Sequence, residues 1–123
     1  MSTISENVLI IGASTKPSRY SYKAAEMLVR YGHTPILVGN KEGVINGMPI
    51  LTKIPSDITI DTVTLYINQK IQPLYLQEII KLNPKRVIFN PGTESNDTWK
   101  ALHEANIKCI EACTLVMLRS NQY

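Results

Sequence analysis

The chain has little of what most specialised protein classes require. Of its 123 residues only two are cysteines, Cys109 and Cys113. That is too few for a disulfide scaffold, and without an export signal both thiols are expected to stay reduced. Long apolar runs are missing as well. The uninterrupted stretch Val8 to Ile11 is far short of the roughly 20 residues a membrane span needs, and Met1 to Asn7 has no basic region followed by an apolar core. The expectation is a cytoplasmic protein with no membrane partner. Clustered positive charge is scarce too: the net charge is +3, but the 13 basic residues are scattered and only Lys85 and Arg86 adjoin. No stripe for a phosphodiester backbone follows, so nucleic acid is not an expected partner. Repeats and biased tracts are lacking, and 44% hydrophobic with 19% charged residues is a globular composition. The length suits one compact domain over 1–123, able to remove about two thirds of its unfolded surface from water.

What is present is an alternation of two periods. Val8-Leu9-Ile10-Ile11 is aliphatic throughout and stops at Gly12, as a strand buried on both faces of a parallel sheet does. A helix follows, with Ser21 as its capping oxygen, Ala25, Leu28 and Val29 facing inward, and Gly32 ending it near Tyr31. Pro35 to Val38 reads as a second interior strand ending at Gly39-Asn40. Between Asn40 and Asp61 no helical period appears, and Asn46-Gly47 marks a tight turn in a small irregular hairpin. Thr62 to Ile67 is the third main strand. Pro73 to Leu82 is the second helix, with Leu76, Ile79 and Ile80 inward.

Arg86 to Phe89 is the fourth strand. A third helix opens near Ser95 or Asn96, buries Trp99 and Leu102, and closes before Asn106. Ile107 to Ile110 is the fifth strand, and Leu115, Val116 and Leu118 pack in a short last helix. This order predicts an α/β fold: a three-layer αβα, Rossmann-like arrangement of a five-stranded parallel sheet in the order 3-2-1-4-5. In such a sheet the ligand crevice lies past the carboxyl ends of the strands, where winding reverses, here between the first and fourth. Gly12 to Tyr22, Gly39 to Lys41, Asn68 to Lys70 and Asn90 to Thr93 each follow a strand and are nominated by that rule.

Gly12-Ala13-Ser14-Thr15-Lys16 joins the first strand to the first helix. Free N–H groups and the positive end of a helix dipole favour an anion at such a place. Gly12 lets backbone approach a ligand, Ser14 and Ser21 can donate hydroxyl hydrogen bonds, and Lys16 and Arg19 bring charge to phosphate oxygens. The loop suits a pyrophosphate, although only Gly12 of a GxGxxG pattern is present and GxxxxGK is absent. An ordinary strand-to-helix turn with solvated Ser and Lys is the plain alternative. An NAD site expects an acidic residue roughly 20 residues beyond the glycine loop. Gly39-Asn40-Lys41 stands there instead, and Lys41 suits a phosphorylated ribose better than a free diol.

Gly12-Ala-Ser-Thr-Lys-Pro, Ser21-Tyr22, the helix end at Gly32, Pro35-Ile-Leu-Val, Gly47-x-Pro49-Ile50 and Asn90-Pro91-Gly92 together resemble the small stand-alone CoA-binding domain family. They also resemble the CoA-binding domain of the succinyl-CoA synthetase α subunit. The resemblance spans Asn7 to about Leu118. It implies a Rossmann-like fold that holds coenzyme A across the strand ends. Gly12, Ser14, Lys16 and Ser21 match the family's phosphate side, and Val38, Asn40, Ile54 and Pro55 its adenosine side. Ala13, Thr15, Arg19, Tyr22, Gly39, Lys41, Asn68, Pro91 and Gly92 complete the expected cofactor-binding set. The chain departs from the family pattern at Asn40-Lys41, where members carry Asn-Pro, and at Glu111-Ala112-Cys113, where they carry Asp-Arg-Cys.

The remaining candidates have plainer readings. Two thiols spaced CxxxC without a nearby His fall short of a zinc site, so no metal is expected. His33 and His103 have no matching nucleophile. Glu94 and Asp97 sit where acids stabilise a helix N-terminus, and Glu111 is the one carboxylate in a general-base position. Trp99, Tyr66 and Tyr75 read as core or half-buried aromatics, while Tyr20 and Tyr22 can line the crevice. The leading reading is a module that binds coenzyme A or acyl-CoA noncovalently, with no catalytic residue identified. The second is a small NAD(P)-linked or CoA-transferring enzyme completed at an oligomer interface. The third is a structural or regulatory subunit without ligand. Homodimerisation is open in each.

Overall fold

The first strand divides the protein into two faces. In a computed structural model, which describes residues 4–123, strand β1 (Asn7–Ile11) is central. Residues 1–3, part of the segment read above for an export signal, lie outside the described residues. Side chains alternate across a strand, so Val8 and Ile10 enter one apolar cluster and Leu9 and Ile11 the other. All four are fully buried, each worth on the order of 1.5–3 kcal/mol relative to exposure. Helices α1 (Tyr20–Arg30) and α4 (Thr114–Arg119) contribute to the first cluster, and α2 (Pro73–Leu82) and α3 (Asn96–Glu104) to the second.

The other strands are β2 (Thr34–Val38), β3 (Gly43–Ile45), β4 (Met48–Leu51), β5 (Thr62–Leu65), β6 (Arg86–Phe89) and β7 (Lys108–Glu111). They form one seven-stranded sheet in the order β3-β4-β2-β1-β5-β6-β7. This overturns the expected five-stranded, all-parallel sheet in the order 3-2-1-4-5. The segment read as an irregular hairpin joins the sheet: β4 pairs parallel with β2, and β3 pairs antiparallel with β4. With β4 on the free edge of β2, the Thr62 strand takes the open side of β1, pairing Val8 with Thr62 through Ile11 with Leu65. Winding therefore reverses between β1 and β5, not between the first and fourth strands as expected. Two strands of three and four residues, one holding Pro49, were too short for alternation to register.

Registers match at the carboxyl edge. Ile11 faces Val38 and Leu65, Leu65 faces Phe89, and Phe89 faces Glu111, so the following loops leave the sheet at one level. Some helix details differ from expectation. Ser21 lies inside α1, whose N-cap is Arg19 with no side-chain capping bond. Val29 and Val116, expected inward, are 50% and 55% exposed, while Ala24, Met27 and Met117 are buried. Helix α1 ends as foreseen at Gly32, where the Gly32 N–H donates to the Val29 carbonyl at 3.0 Å and the His33 N–H to Leu28 at 2.8 Å. That pair of bonds is the Schellman termination. Ser95 caps α3, its Oγ accepting the Thr98 N–H at 3.2 Å.

Candidate functional site

The loop after β1 is fixed by backbone before any side chain matters. The N–H groups of Gly12 and Ala13 both donate to the Val38 carbonyl, at 2.8 and 2.9 Å. Gly12 has φ +102°, and a Cβ there would stand 2.7 Å from the Tyr66 carbonyl oxygen; one on Gly39 would stand 2.5 Å from that of Ala13. Only glycine permits this closeness of three strand ends. Beyond Ala13 the chain turns, with the Lys16 N–H on Ser14 Oγ at 3.2 Å and the Arg19 N–H on the Lys16 carbonyl at 3.0 Å. It then enters α1. No side chain caps that helix, which leaves its first-turn N–H groups for an outside acceptor.

These loops enclose a cleft of about 720 Å³ over the strand ends, inside the roughly 300–1,000 Å³ range of small-molecule and cofactor sites. Ten of the residues expected at the site line it: Gly12, Ala13, Ser14, Thr15, Lys16, Arg19, Ser21, Gly39, Asn40 and Lys41. The cleft has two chemically distinct sides. The side built from the β1–α1 loop and the chain after β2 carries three cations (Lys16, Arg19, Lys41), one carboxylate (Glu42) and the hydroxyls of Ser14, Thr15 and Ser21. The side built from the chain after β5 and the start of α2 carries Tyr66, Ile67, Ile71 and Tyr75 and no charged side chain.

Seven expected residues do not line the cleft. Val38 is fully buried and acts through its carbonyl. Tyr22 packs against the α1 cluster. Ile54 is buried in the α2 cluster with Pro55 half-buried beside it, and the residue of the hairpin segment that lines the cleft is Ile50 of β4. Asn68 is exposed, and its Oδ1 accepts the N–H groups of Lys70 and Ile71, at 3.0 and 3.2 Å, to shape the approach to α2. Pro91 and Gly92 are exposed, the Gly92 N–H donating to the Glu94 carboxylate at 3.0 Å. Glu111 and Cys113 are also absent from the lining.

Asn90 has a structural task. It is 2% exposed, and its Nδ2 donates to Thr64 Oγ1 at 2.6 Å and to the Leu65 carbonyl at 2.8 Å. Its Oδ1 accepts from the Thr114 N–H at 2.9 Å and the Thr114 hydroxyl at 3.0 Å. With Thr114 donating to Asn90, the 2.8 Å Thr64–Thr114 contact must run from the Thr64 hydroxyl. This ring ties β5, β6 and α4 together beneath the cleft. The Tyr66 hydroxyl lies near Thr64 and Thr114 but closes no hydrogen bond with either. Burial pushes its pKa up to about 12, so the phenol stays neutral.

Six lining residues were read otherwise or passed over in the sequence. Tyr66 and Tyr75, expected as core or half-buried aromatics, pack on the core clusters and also line the cleft. Ile67 and Ile71 flank the nominated Asn68 to Lys70, and Ile50 belongs to the unrecognised β4. Glu42 lies just past Lys41, and its acidic character was the available signal. Tyr20, weighed as a crevice residue, is 67% exposed at the rim.

A central parallel strand ending in a glycine turn, an uncapped helix behind it and a cleft across the winding reversal define a Rossmann-like fold of the nucleotide-binding class. Within that class the chain belongs to the CoA binding domain family, whose model matches residues 6–119. It is similar to a crystal structure of an uncharacterized protein at 43% identity and TM-score 0.95, covering 98% of this chain and 100% of that one. It is also similar to the cell-free ID.343 structure from Thermus thermophilus (19% identity, TM-score 0.83, 97% of this chain and 91% of that one). A hypothetical protein from Pyrococcus horikoshii OT3 is a third (24%, TM-score 0.80, 94% and 83%). These last two show the fold alone. No curated protein matches the chain. Among the described residues, no helix is long and apolar enough to cross a membrane.

Proposed function

We propose that the protein binds coenzyme A or an acyl-CoA noncovalently, with the diphosphate at Gly12 to Lys16 and the start of α1. The observation that carries this is the two-sided cleft. Lys16, Arg19 and the uncapped helix end suit phosphate oxygens; Asn40, Lys41 and Ile50 suit the adenosine end; Tyr66, Ile67, Ile71 and Tyr75 suit the neutral pantetheine arm. A dinucleotide would bring a second ribosyl group to that apolar side and leave its hydroxyls without partners. The kinship with the succinyl-CoA synthetase α subunit's domain belongs to the same proposal. So does action as one cytoplasmic domain delivering or sensing its ligand. The alternative of a small enzyme completed at an oligomer interface draws no support from this cleft, since Glu111 and Cys113 are not among its lining residues.

Glu42 favours a second reading. A carboxylate in the lining beyond β2 can accept hydrogen bonds from a free ribose diol, the task an acidic residue performs in NAD sites. Calorimetry with coenzyme A, dephospho-coenzyme A, NAD and ATP decides between the two. Coenzyme A is expected to bind most tightly, dephospho-coenzyme A less so for want of the phosphate that Lys41 suits, and Lys16→Ala to weaken both. Tight NAD binding without coenzyme A binding would reverse the assignment.

A further inference from the structure

We propose that the preferred ligand is an acyl thioester of coenzyme A, its acyl chain lying on an apolar ledge formed by Ile71 and Leu74 at the start of α2. This rests on the coenzyme A reading above. The uncharged side of the cleft continues past the rim: Ile71, a lining residue, is 39% exposed, and Leu74 is 76% exposed. The Ile71 N–H donates to the Asn68 carbonyl at 3.0 Å and the Leu74 N–H to the Ile71 carbonyl at 3.0 Å. One turn separates the two, and in helical turns residues three apart are surface neighbours, so Leu74 lies next to Ile71 along the start of α2.

The ledge is held in place. Gln72, between the two, is 1% exposed, and its Nε2 donates to the Ile67 carbonyl at 3.0 Å and the Thr93 carbonyl at 2.6 Å. Single exposed leucines are ordinary on protein surfaces. This pair differs in being anchored and continuous with the uncharged side of a cleft whose opposite side is cationic. That polarity orients the occupant. Phosphates drawn to Lys16 and Arg19 send the neutral arm across Tyr66 and Ile67, and its far end emerges at Ile71 and Leu74. A terminal thiol gains little there, whereas an alkyl chain removes both side chains and itself from water.

Titration calorimetry with coenzyme A, acetyl-CoA and octanoyl-CoA tests this on the wild type, Leu74→Ser and Val44→Ser. Val44 is 61% exposed in β3 and is not a lining residue. Octanoyl-CoA is expected to bind the wild type on the order of tenfold more tightly than coenzyme A, with acetyl-CoA close to coenzyme A. Leu74→Ser is expected to remove most of that advantage while leaving coenzyme A affinity unchanged, and Val44→Ser to alter neither. Equal affinities in the wild type, or an octanoyl advantage untouched by Leu74→Ser, overturn the ledge while the coenzyme A assignment stands. Failure of coenzyme A and both thioesters to bind overturns the assignment itself.

Discussion

Replacing Asn90 by alanine should damage the fold far more than the cleft. The substitution deletes two donor bonds, to Thr64 Oγ1 and the Leu65 carbonyl, and two acceptor bonds, from the Thr114 N–H and hydroxyl. The two hydroxyls keep their mutual 2.8 Å contact. The Thr114 N–H and the Leu65 carbonyl lose their side-chain partner, in a place with almost no water access. Leaving a buried polar group unpaired costs about 1–3 kcal/mol, and the lost side-chain volume adds a smaller cavity cost. The sum is roughly 3–5 kcal/mol. For a chain of this length that lowers the melting temperature by roughly 12–20 °C. Urea unfolding followed by circular dichroism measures it, with exposed Pro91→Ala as a control expected within about 0.5 kcal/mol of wild type. If Asn90→Ala keeps full stability but abolishes ligand binding, the residue belongs to the ligand and the ring has been misjudged.

Three further outcomes are expected. Gly12→Val forces a side chain against the Tyr66 carbonyl at φ +102° and should cost roughly 3 kcal/mol or more. Gly92→Ala, at φ +91° with nothing within 4 Å, should cost only the conformational share of about 1–2 kcal/mol; comparing the two unfolding midpoints isolates the collision. Tyr66→Phe removes a buried hydroxyl that closes no hydrogen bond, so its melting temperature should match or exceed the wild type's; a loss above about 1 kcal/mol would show that the hydroxyl is paired. His33 accepts the Glu6 N–H at 3.1 Å, and its pKa is lowered from 6.5, chiefly by burial, with Glu6 opposing and Arg86 assisting. The unfolded chain therefore takes up the proton first, so this contribution to stability is complete above pH 6.5 and declines as pH falls below it. His33→Gln should flatten the dependence of the urea midpoint across that window.

The strands and helices with strong periods were legible. Val8 to Ile11, Arg86 to Phe89 and the three longer helices lie within a residue or two of where their patterns put them. Order across the sheet was not, because β3 and β4 carry three and four residues and their pairing partners are decided by which edges remain open. Among candidate site residues, the loop from Gly12 to Lys16 lines the cleft where the strand-end rule nominated it. Asn68, Pro91 and Gly92 satisfied the same strand-end rule. Local turn hydrogen bonds, two or three residues along the chain, occupy Asn68 and Gly92 instead, and the strand-end rule names loops without saying which of their residues turn toward the cleft. Tyr66 and Tyr75 hid behind the opposite ambiguity, because an aromatic residue can fill a core and line a cavity at once.

The paired amides of Gly12 and Ala13 on the Val38 carbonyl also bear on kinetics. For a ligand bound as proposed, these two residues need no ordering step, so the entropy that a flexible segment would surrender there is spent during folding instead. Association should then be limited by encounter and steering, and residence time should report the contacts themselves.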